Sequence, residues 1–207
     1  MQTGKFITIE GIEGAGKSTA VQDIHAWMDN HHIHSVFTRE PGGTDIAEEI
    51  RKVLLFPAST EKMQPQTELL LMFACRAQLI NHMIKPALQS GKWVVSDRYV
   101  DASYAYQGYG RGLDLHYIQQ LDKMIVGDIY PQLTFLLDVP VELGLKRAEK
   151  RGQKDRIEQE KVEFFKRVRE GYLERAKRDP DRIKIIDASK TPAVAAEQMV
   201  ALLAKLL

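Results

Sequence analysis

The chain has 207 residues, 44% of them hydrophobic and 28% charged, with a formal net charge of +1. That length suits one α/β domain carrying a small mobile insertion, and so small a charge excludes a global attraction to nucleic acid or to a membrane surface. The lone cysteine, Cys75, excludes an internal disulfide and any cysteine-built zinc cluster, and inside a helical pattern it reads as a small buried hydrophobe. No apolar run approaches the roughly 18 residues of a membrane span. The N-terminus runs almost at once into a patterned strand and glycine loop, leaving no room for a signal peptide, so the expected location is cytoplasmic.

The first strand signal is Phe6–Glu10, with an alternating apolar pattern. It is followed by Gly11, Ile12, Glu13, Gly14, Ala15, Gly16, Lys17 and Ser18, which fit the phosphate-binding pattern Gly-x4-Gly-Lys-Ser/Thr, with Thr19 next. Residues 18–31 then carry a mixed helical face. Each residue type has a reason. The glycines allow positive φ and bring backbone N–H groups against oxygen atoms, and the helix start adds free N–H groups and a positive dipole end. Lys17 offers a cation to the β/γ-phosphates and Ser18 a hydroxyl to Mg²⁺. Strand, glycine loop and helix together point to a bound nucleoside triphosphate.

Further strands are expected at Ser35–Thr38, Trp93–Asp97, Thr134–Asp138 and Ile183–Asp187, and helices near 45–55, 66–89, 114–126, 141–150, 159–178 and 192–206. Several strand runs are apolar throughout, as in parallel strands buried on both faces. Strand–helix alternation predicts a three-layer, doubly wound parallel sheet, whose ligands lie beyond the carboxyl ends of the strands. That rule selects the loops 11–18, 39–44, 97–111 and 138–158.

In the first of these after the phosphate loop, Pro41 and two glycines form a fixed turn. It either aims Arg39 at a phosphate or leaves it in solvent. On the helix near 66–89, Phe73 and Arg76 share a face, which suits a flat base or equally a core ring beside a surface guanidinium. The strand ending at Asp97 delivers a carboxylate for Mg²⁺ together with Arg98 for a phosphate; Asp138 ends a rival strand without such a companion. Ser103–Gly112 reads as a loop rich in aromatics, glycine and amide, with Gln107 able to donate and accept at a base edge. Between Arg147 and Arg156 half the positions are Lys or Arg, and Gly152 interrupts them, a composition suited to a phosphate-closing lid over about 147–158. The parts describe a phosphotransferase with a small planar acceptor. A regulatory GTPase would carry Asn-Lys-x-Asp, which the chain lacks.

Glu10–Ser18, Phe37–Thr44, Asp97–Tyr99, Ala105–Gly108 and Asp155–Glu158 together resemble bacterial thymidylate kinases, in order, over residues 5 to about 190. The resemblance implies one domain over 1–207 with a five-stranded parallel sheet of the nucleoside-monophosphate kinase type, and a homodimer. It also implies transfer of the ATP γ-phosphoryl group to dTMP with Mg²⁺, giving dTDP and ADP in dTTP biosynthesis. By that resemblance Glu13 contacts the acceptor's 3′-hydroxyl and Arg39 and Arg98 hold its phosphate. Phe73 stacks on thymine, Arg76 bonds its O4, and Ser103 and Gln107 line the base and sugar pocket. Pro41 and Tyr104 are placed where 5-methyl and 2′-hydroxyl discrimination is decided, and Asp97 with Ser18 organises the metal. Because the phosphate loop holds no arginine, the catalytic arginine is expected from the lid. Arg151 is the first choice, with Arg147 and Arg156 behind it.

Overall fold

The computed structural model describes residues 4–58, 61–149 and 155–207. Five strands, β1 (Phe6–Glu10), β2 (Ser35–Arg39), β3 (Trp93–Asp97), β4 (Leu133–Asp138) and β5 (Ile183–Asp187), form one sheet in the order β2-β3-β1-β4-β5, all parallel. All five residues of β1 are buried, as its apolar run requires at the sheet's centre. The register sets Ile9 beside Asp97 and Glu10 beside Leu136. The chain leaves β1 in one direction to make β2 and β3 and later adds β4 on the other side. The crevice above β1 is therefore a topological switch point, and the glycine loop emerges into it.

Helices flank the sheet: α1 (Lys17–Asn30), α2 (Asp45–Leu55), α3 (Pro65–Leu79), α4 (Lys85–Gln89), α5 (Val100–Ser103), α6 (Leu115–Ile125), α7 (Val141–Ala148), α8 (Val162–Arg178) and α9 (Pro192–Leu203). Thr44 caps α2, its hydroxyl accepting from Ala47 N. The long helix expected over 66–89 is interrupted. A π-helical turn, Ile80–Ile84, separates α3 from α4, where Pro86 in the first turn of α4 lacks the N–H that an unbroken helix would use.

The loop expected across 97–111 is a larger departure. It folds as α5 followed by a seven-residue π-helix, Tyr104–Gly110. Its glycines signal close packing rather than a turn. A Cβ at Gly108 would stand 2.5 Å from the Leu115 side chain, and one at Gly110 2.7 Å from Phe164. Tertiary burial against α6 and α8 outweighs the weak helix propensity of Gly here.

Candidate active site

In the phosphate loop Gly11, Gly14 and Gly16 have φ of +141°, +71° and +96°, and Gly16 is the N-cap of α1. No acidic residue occupies the first turn of α1, so its free N–H groups and dipole are left for an anion. The Lys17 ammonium arches back over the loop, donating to the carbonyls of Gly11 (3.2 Å) and Ile12 (3.1 Å). Burial, followed by the repulsion of Arg98, pulls its pKa down to about 8, against the pull of Asp97, Glu13 and Glu10.

Beside the loop, the end of β3 turns sharply at Arg98, whose φ is +70°. A left-handed non-glycine residue costs roughly 1–2 kcal/mol and needs support. Arg98 N donates to Ile9 O (2.9 Å), Ser96 Oγ to Arg98 O (2.7 Å) and Tyr99 N to Glu10 Oε1 (2.7 Å). The turn aims the guanidinium across the crevice, where it donates to Gly11 O (2.9 Å), the Tyr172 hydroxyl (3.0 Å) and Glu13 Oε1 (2.8 Å). The Tyr172 hydroxyl in turn donates to Glu10 Oε2 (2.7 Å), and Tyr106 donates to the Glu13 carboxylate (2.8 Å). Burial opposes the charge on Arg98, but Tyr106, Tyr172, Glu13 and Asp97 more than compensate and hold it protonated. Glu10 is fully buried; desolvation, then the charge of Asp101, pushes its carboxyl up to about 8. Asp97 also reaches the crevice, and its Oδ1 is a buried acceptor with no hydrogen-bond partner among the described residues. The rival strand end, Asp138, is held at 2.7 Å through both oxygens by Arg169. That pairing leaves Asp97 as the carboxylate facing the phosphate loop.

Two clefts meet here. The first is walled by Arg39, Pro41, Arg76, Ser103 and Gln107 and ends at Glu13, Lys17, Asp97 and Arg98. The second runs from Gly14–Thr19 and Asp97 to Arg147, Lys190, Thr191 and Met199. In the first, Arg39 pairs with Glu48 (2.9 Å), while Arg76, only 1% exposed, bonds Glu40 Oε2 (2.6 Å), the Ser103 hydroxyl (3.0 Å) and Tyr99 O (3.0 Å).

Two residues expected at the base are placed elsewhere. Phe73 is 2% exposed and does not line the cleft; it lies behind Arg76, whose guanidinium carbon sits 4.6 Å from the ring centroid. Tyr104 points away and donates to Asp122 (2.7 Å), under the Arg175 guanidinium. The helical spacing that put Phe73 and Arg76 on one face was right. That face is the core, and only the long Arg76 side chain reaches the cleft.

The expected lid arginines separate as well. Arg151 and the hinge at Gly152 lie outside the described residues. Arg147 lines the second cleft, donating to Ala188 O (2.8 Å). Arg156 is committed to anchoring, with Nε to Leu54 O (2.8 Å) and Nη1 to Glu68 (2.7 Å).

Sequence reading gave no role to Glu10, Glu40 and Tyr106, although they lie inside the quoted motifs, and passed over Arg51 and Tyr172. Arg51 lines the first cleft and donates to Pro41 O (2.6 Å). Its spacing of seven from Thr44 and three from Glu48, on the face of α2 next to the Arg39 turn, was a usable signal. Tyr172 carried none, being 74 positions from Arg98.

The thymidylate kinase family profile matches residues 9–199. The chain is 53% identical to the thymidylate kinase of Ruthia magnifica over 96% of its own length and 97% of the relative's. It is 50% identical to that of Marinomonas sp., over 98% and 95%. The crystal structure of thymidylate kinase from Ehrlichia chaffeensis superposes with a TM-score of 0.79 at 31% identity, covering 98% of this chain and 99% of that one.

Proposed function

The chain belongs to the thymidylate kinase family, and from that premise we propose how its own residues divide the work of moving the ATP γ-phosphoryl group to dTMP. The activity is that of a dTMP kinase, giving dTDP and ADP for dTTP synthesis. One observation carries the residue assignment: the two clefts share Lys17 and Asp97, so a donor in one and an acceptor in the other meet end to end at that pair.

In this reading ATP lies along Gly11–Thr19, its phosphates on the loop N–H groups and Lys17, and its base toward Arg147 and the Lys190–Thr191 segment. The acceptor lies with its base toward Arg76, Ser103 and Gln107 and its phosphate toward Arg39, Arg51 and Arg98. Glu13, held by Tyr106 and Arg98, faces the sugar. A dTMP phosphate oxygen then attacks the γ-phosphorus, the bond from that phosphorus to the β,γ-bridging oxygen breaks, and ADP departs. Catalysis is by positioning and charge neutralisation, with no covalent enzyme intermediate. Phe73 acts at one remove, as the floor under Arg76.

Family members use ATP as donor, generally with a divalent metal, and we take Mg²⁺ as that ion. Asp97 fits it, since its buried Oδ1 lacks a partner, and the Ser18 hydroxyl lies along the same cleft. Among the described residues no group of three His, Cys, Asp or Glu is arranged to hold a metal, and Mg²⁺ commonly takes one or two carboxylates plus substrate phosphate oxygens. When bound, Mg²⁺ neutralises charge on the β- and γ-oxygens. The segment 147–158 acts as a lid with Arg151 as its catalytic arginine.

A homodimer and a single domain over 1–207 complete the proposal. Ile46 and Val53 on α2, Leu70 on α3 and Met124 on α6 are 51–70% exposed, an apolar set that a second copy would cover. No helix among the described residues is long and apolar enough to cross a membrane, and we place the enzyme in the cytoplasm. The deciding experiment is ADP release from ATP with dTMP, dUMP, dCMP, AMP, GMP and UMP in turn. Strong preference for dTMP supports the acceptor cleft as assigned; equal turnover of dCMP would refute that assignment, and ADP release without acceptor would refute the division of clefts.

A further inference from the structure

A buried carboxylate that belongs to neither cleft touches the wall of one. Glu68, in the first turn of α3, is 1% exposed. Its Oε1 accepts from the Gln107 amide nitrogen (2.8 Å) and Arg111 Nε (3.1 Å), its Oε2 accepts from Arg111 Nε (3.2 Å), and Oε2 also forms ion pairs with Arg111 Nη2 (3.0 Å) and Arg156 Nη1 (2.7 Å). Burial would raise its pKa, yet the hydrogen bonds and charge of Arg111, joined by Gln107 and Arg156, hold it below the usual carboxylate range. Glu68 is therefore an anion, and a carboxylate anion can only accept hydrogen bonds.

That fact decides the orientation of a neighbouring side chain. Turned the other way, Gln107 would set its amide oxygen against a buried carboxylate oxygen, two acceptors facing each other with no proton between them. Its NH₂ is thus committed to Glu68, and its oxygen is what it can offer an occupant of the acceptor cleft, whose wall it forms. Thymine and uracil carry an N–H at N3 and match an acceptor there. Cytosine carries a bare lone pair at the same position and opposes it.

We propose that Glu68 is a specificity-determining positioning residue, which orients the Gln107 amide so that the cleft selects a pyrimidine with N3–H over one with an N3 lone pair. The proposal rests on the acceptor cleft being the dTMP site. Arg111 and Arg156 serve it by keeping Glu68 ionised.

The test is the ratio of kcat/KM for dTMP to that for dCMP in wild type, Glu68→Gln and Glu68→Asp. In Glu68→Gln the two guanidiniums take the single carbonyl oxygen, the new NH₂ faces Gln107, and the Gln107 amide turns over. The expected result is a fall in the ratio of about tenfold or more, chiefly through a higher KM for dTMP, because a site's hydrogen-bond polarity is a strong discriminator. Glu68→Asp, still an anion, keeps the ratio. Equal losses for both acceptors, or an unchanged ratio in folded Glu68→Gln, overturn the proposal. Should Glu68→Gln not fold, the side-chain amide resonance of Gln107 in the ¹⁵N-labelled wild type decides. Slow solvent exchange and little shift on adding dTMP support the assignment, and a large shift with fast exchange overturns it. A wild type without preference for dTMP over dCMP refutes the cleft reading itself and is seen before any variant is made.

Discussion

Arg98 shows how one residue's backbone can set a site. Its left-handed φ is what points the guanidinium at Gly11 and Glu13, and it is held by backbone bonds from the neighbouring strand and by Glu10. Glu10 thereby acquires a measurable signature. Its carboxyl ionises near 4.5 in the unfolded chain and at about 8 in the folded one, so between those values the folded state binds more protons. Stability must fall as pH rises through that window. Glu10→Gln should flatten the decline in urea unfolding series run from pH 5 to 8; an unchanged slope would remove Glu10 as its source. Lys17, whose pKa is shifted in the opposite direction, brings a loss on the same side of the pH scale, in function rather than stability. With its pKa drawn down to about 8, it loses its charge above that pH, and kcat/KM for ATP should decline there. Lys17→Ala should lower turnover roughly 10²-fold or more, the scale of one charge-stabilising donor, and abolish that pH dependence in steady-state assays.

Among elements, the closest approach in the site is between the phosphate loop and α7. A Cβ at Gly14 would meet Gly144 O at 1.9 Å, and one at Gly144 would meet Glu13 O at 2.7 Å. The loop is therefore shaped from behind by a helix that also leads to the proposed lid. Gly144→Ala is expected to displace the loop, weakening ATP binding in calorimetry more than dTMP binding; equal loss of both would point to general unfolding. The turn at Asp155–Glu158, the C-terminal end of the proposed lid, is fixed with comparable care. Asp155 Oδ1 accepts from the N–H groups of Ile157 and Glu158 (2.8 Å each), while Arg156 N donates to Leu55 O (3.1 Å) at the end of α2. Of the basic run expected as a lid, Arg156 is thus tied to the end of α2 and to Glu68.

At the scale of the molecule, Asp101 fastens α5 to α8 and to the start of β5. It is fully buried and accepts from Arg175 Nε (2.8 Å) and from Arg182 Nη1 and Nη2 (2.7 and 3.1 Å). Burial would raise its pKa, but the two arginines depress it, so the stability it contributes is present above the unfolded value near 3.8 and lost as pH falls through the folded one. Asp101→Ala removes the buried carboxylate from two largely buried guanidiniums, leaving Arg182 only Asp179 and Thr134, and should cost about 3–5 kcal/mol. That is a thermal midpoint lower by roughly 10 °C, read by circular dichroism. The exposed apolar set on α2, α3 and α6 leads to a second expectation at this scale. If the proposed homodimer uses this face, Val53→Glu shifts sedimentation from dimer toward monomer; an unchanged dimer profile places the contact elsewhere, and a monomeric wild type refutes the dimer.

What the sequence determined by itself were the features built from neighbours in the chain: five strands within a residue or so of their ends, the phosphate loop, the Asp97–Arg98 pair and the family they indicate. Those follow from local periodicity and from residue types that chemistry demands at fixed spacing. Tertiary structure alone decided the π-helix at Tyr104–Gly110, because packing against α6 and α8 overrides glycine's poor propensity. It alone turned Phe73 and Tyr104 away from the cleft and brought Glu68 to Gln107 and Tyr172 to Arg98. Such pairs are set by how layers of the sheet and helices pack across dozens of residues of chain, and nothing in the order of the residues records which buried oxygen will face which guanidinium.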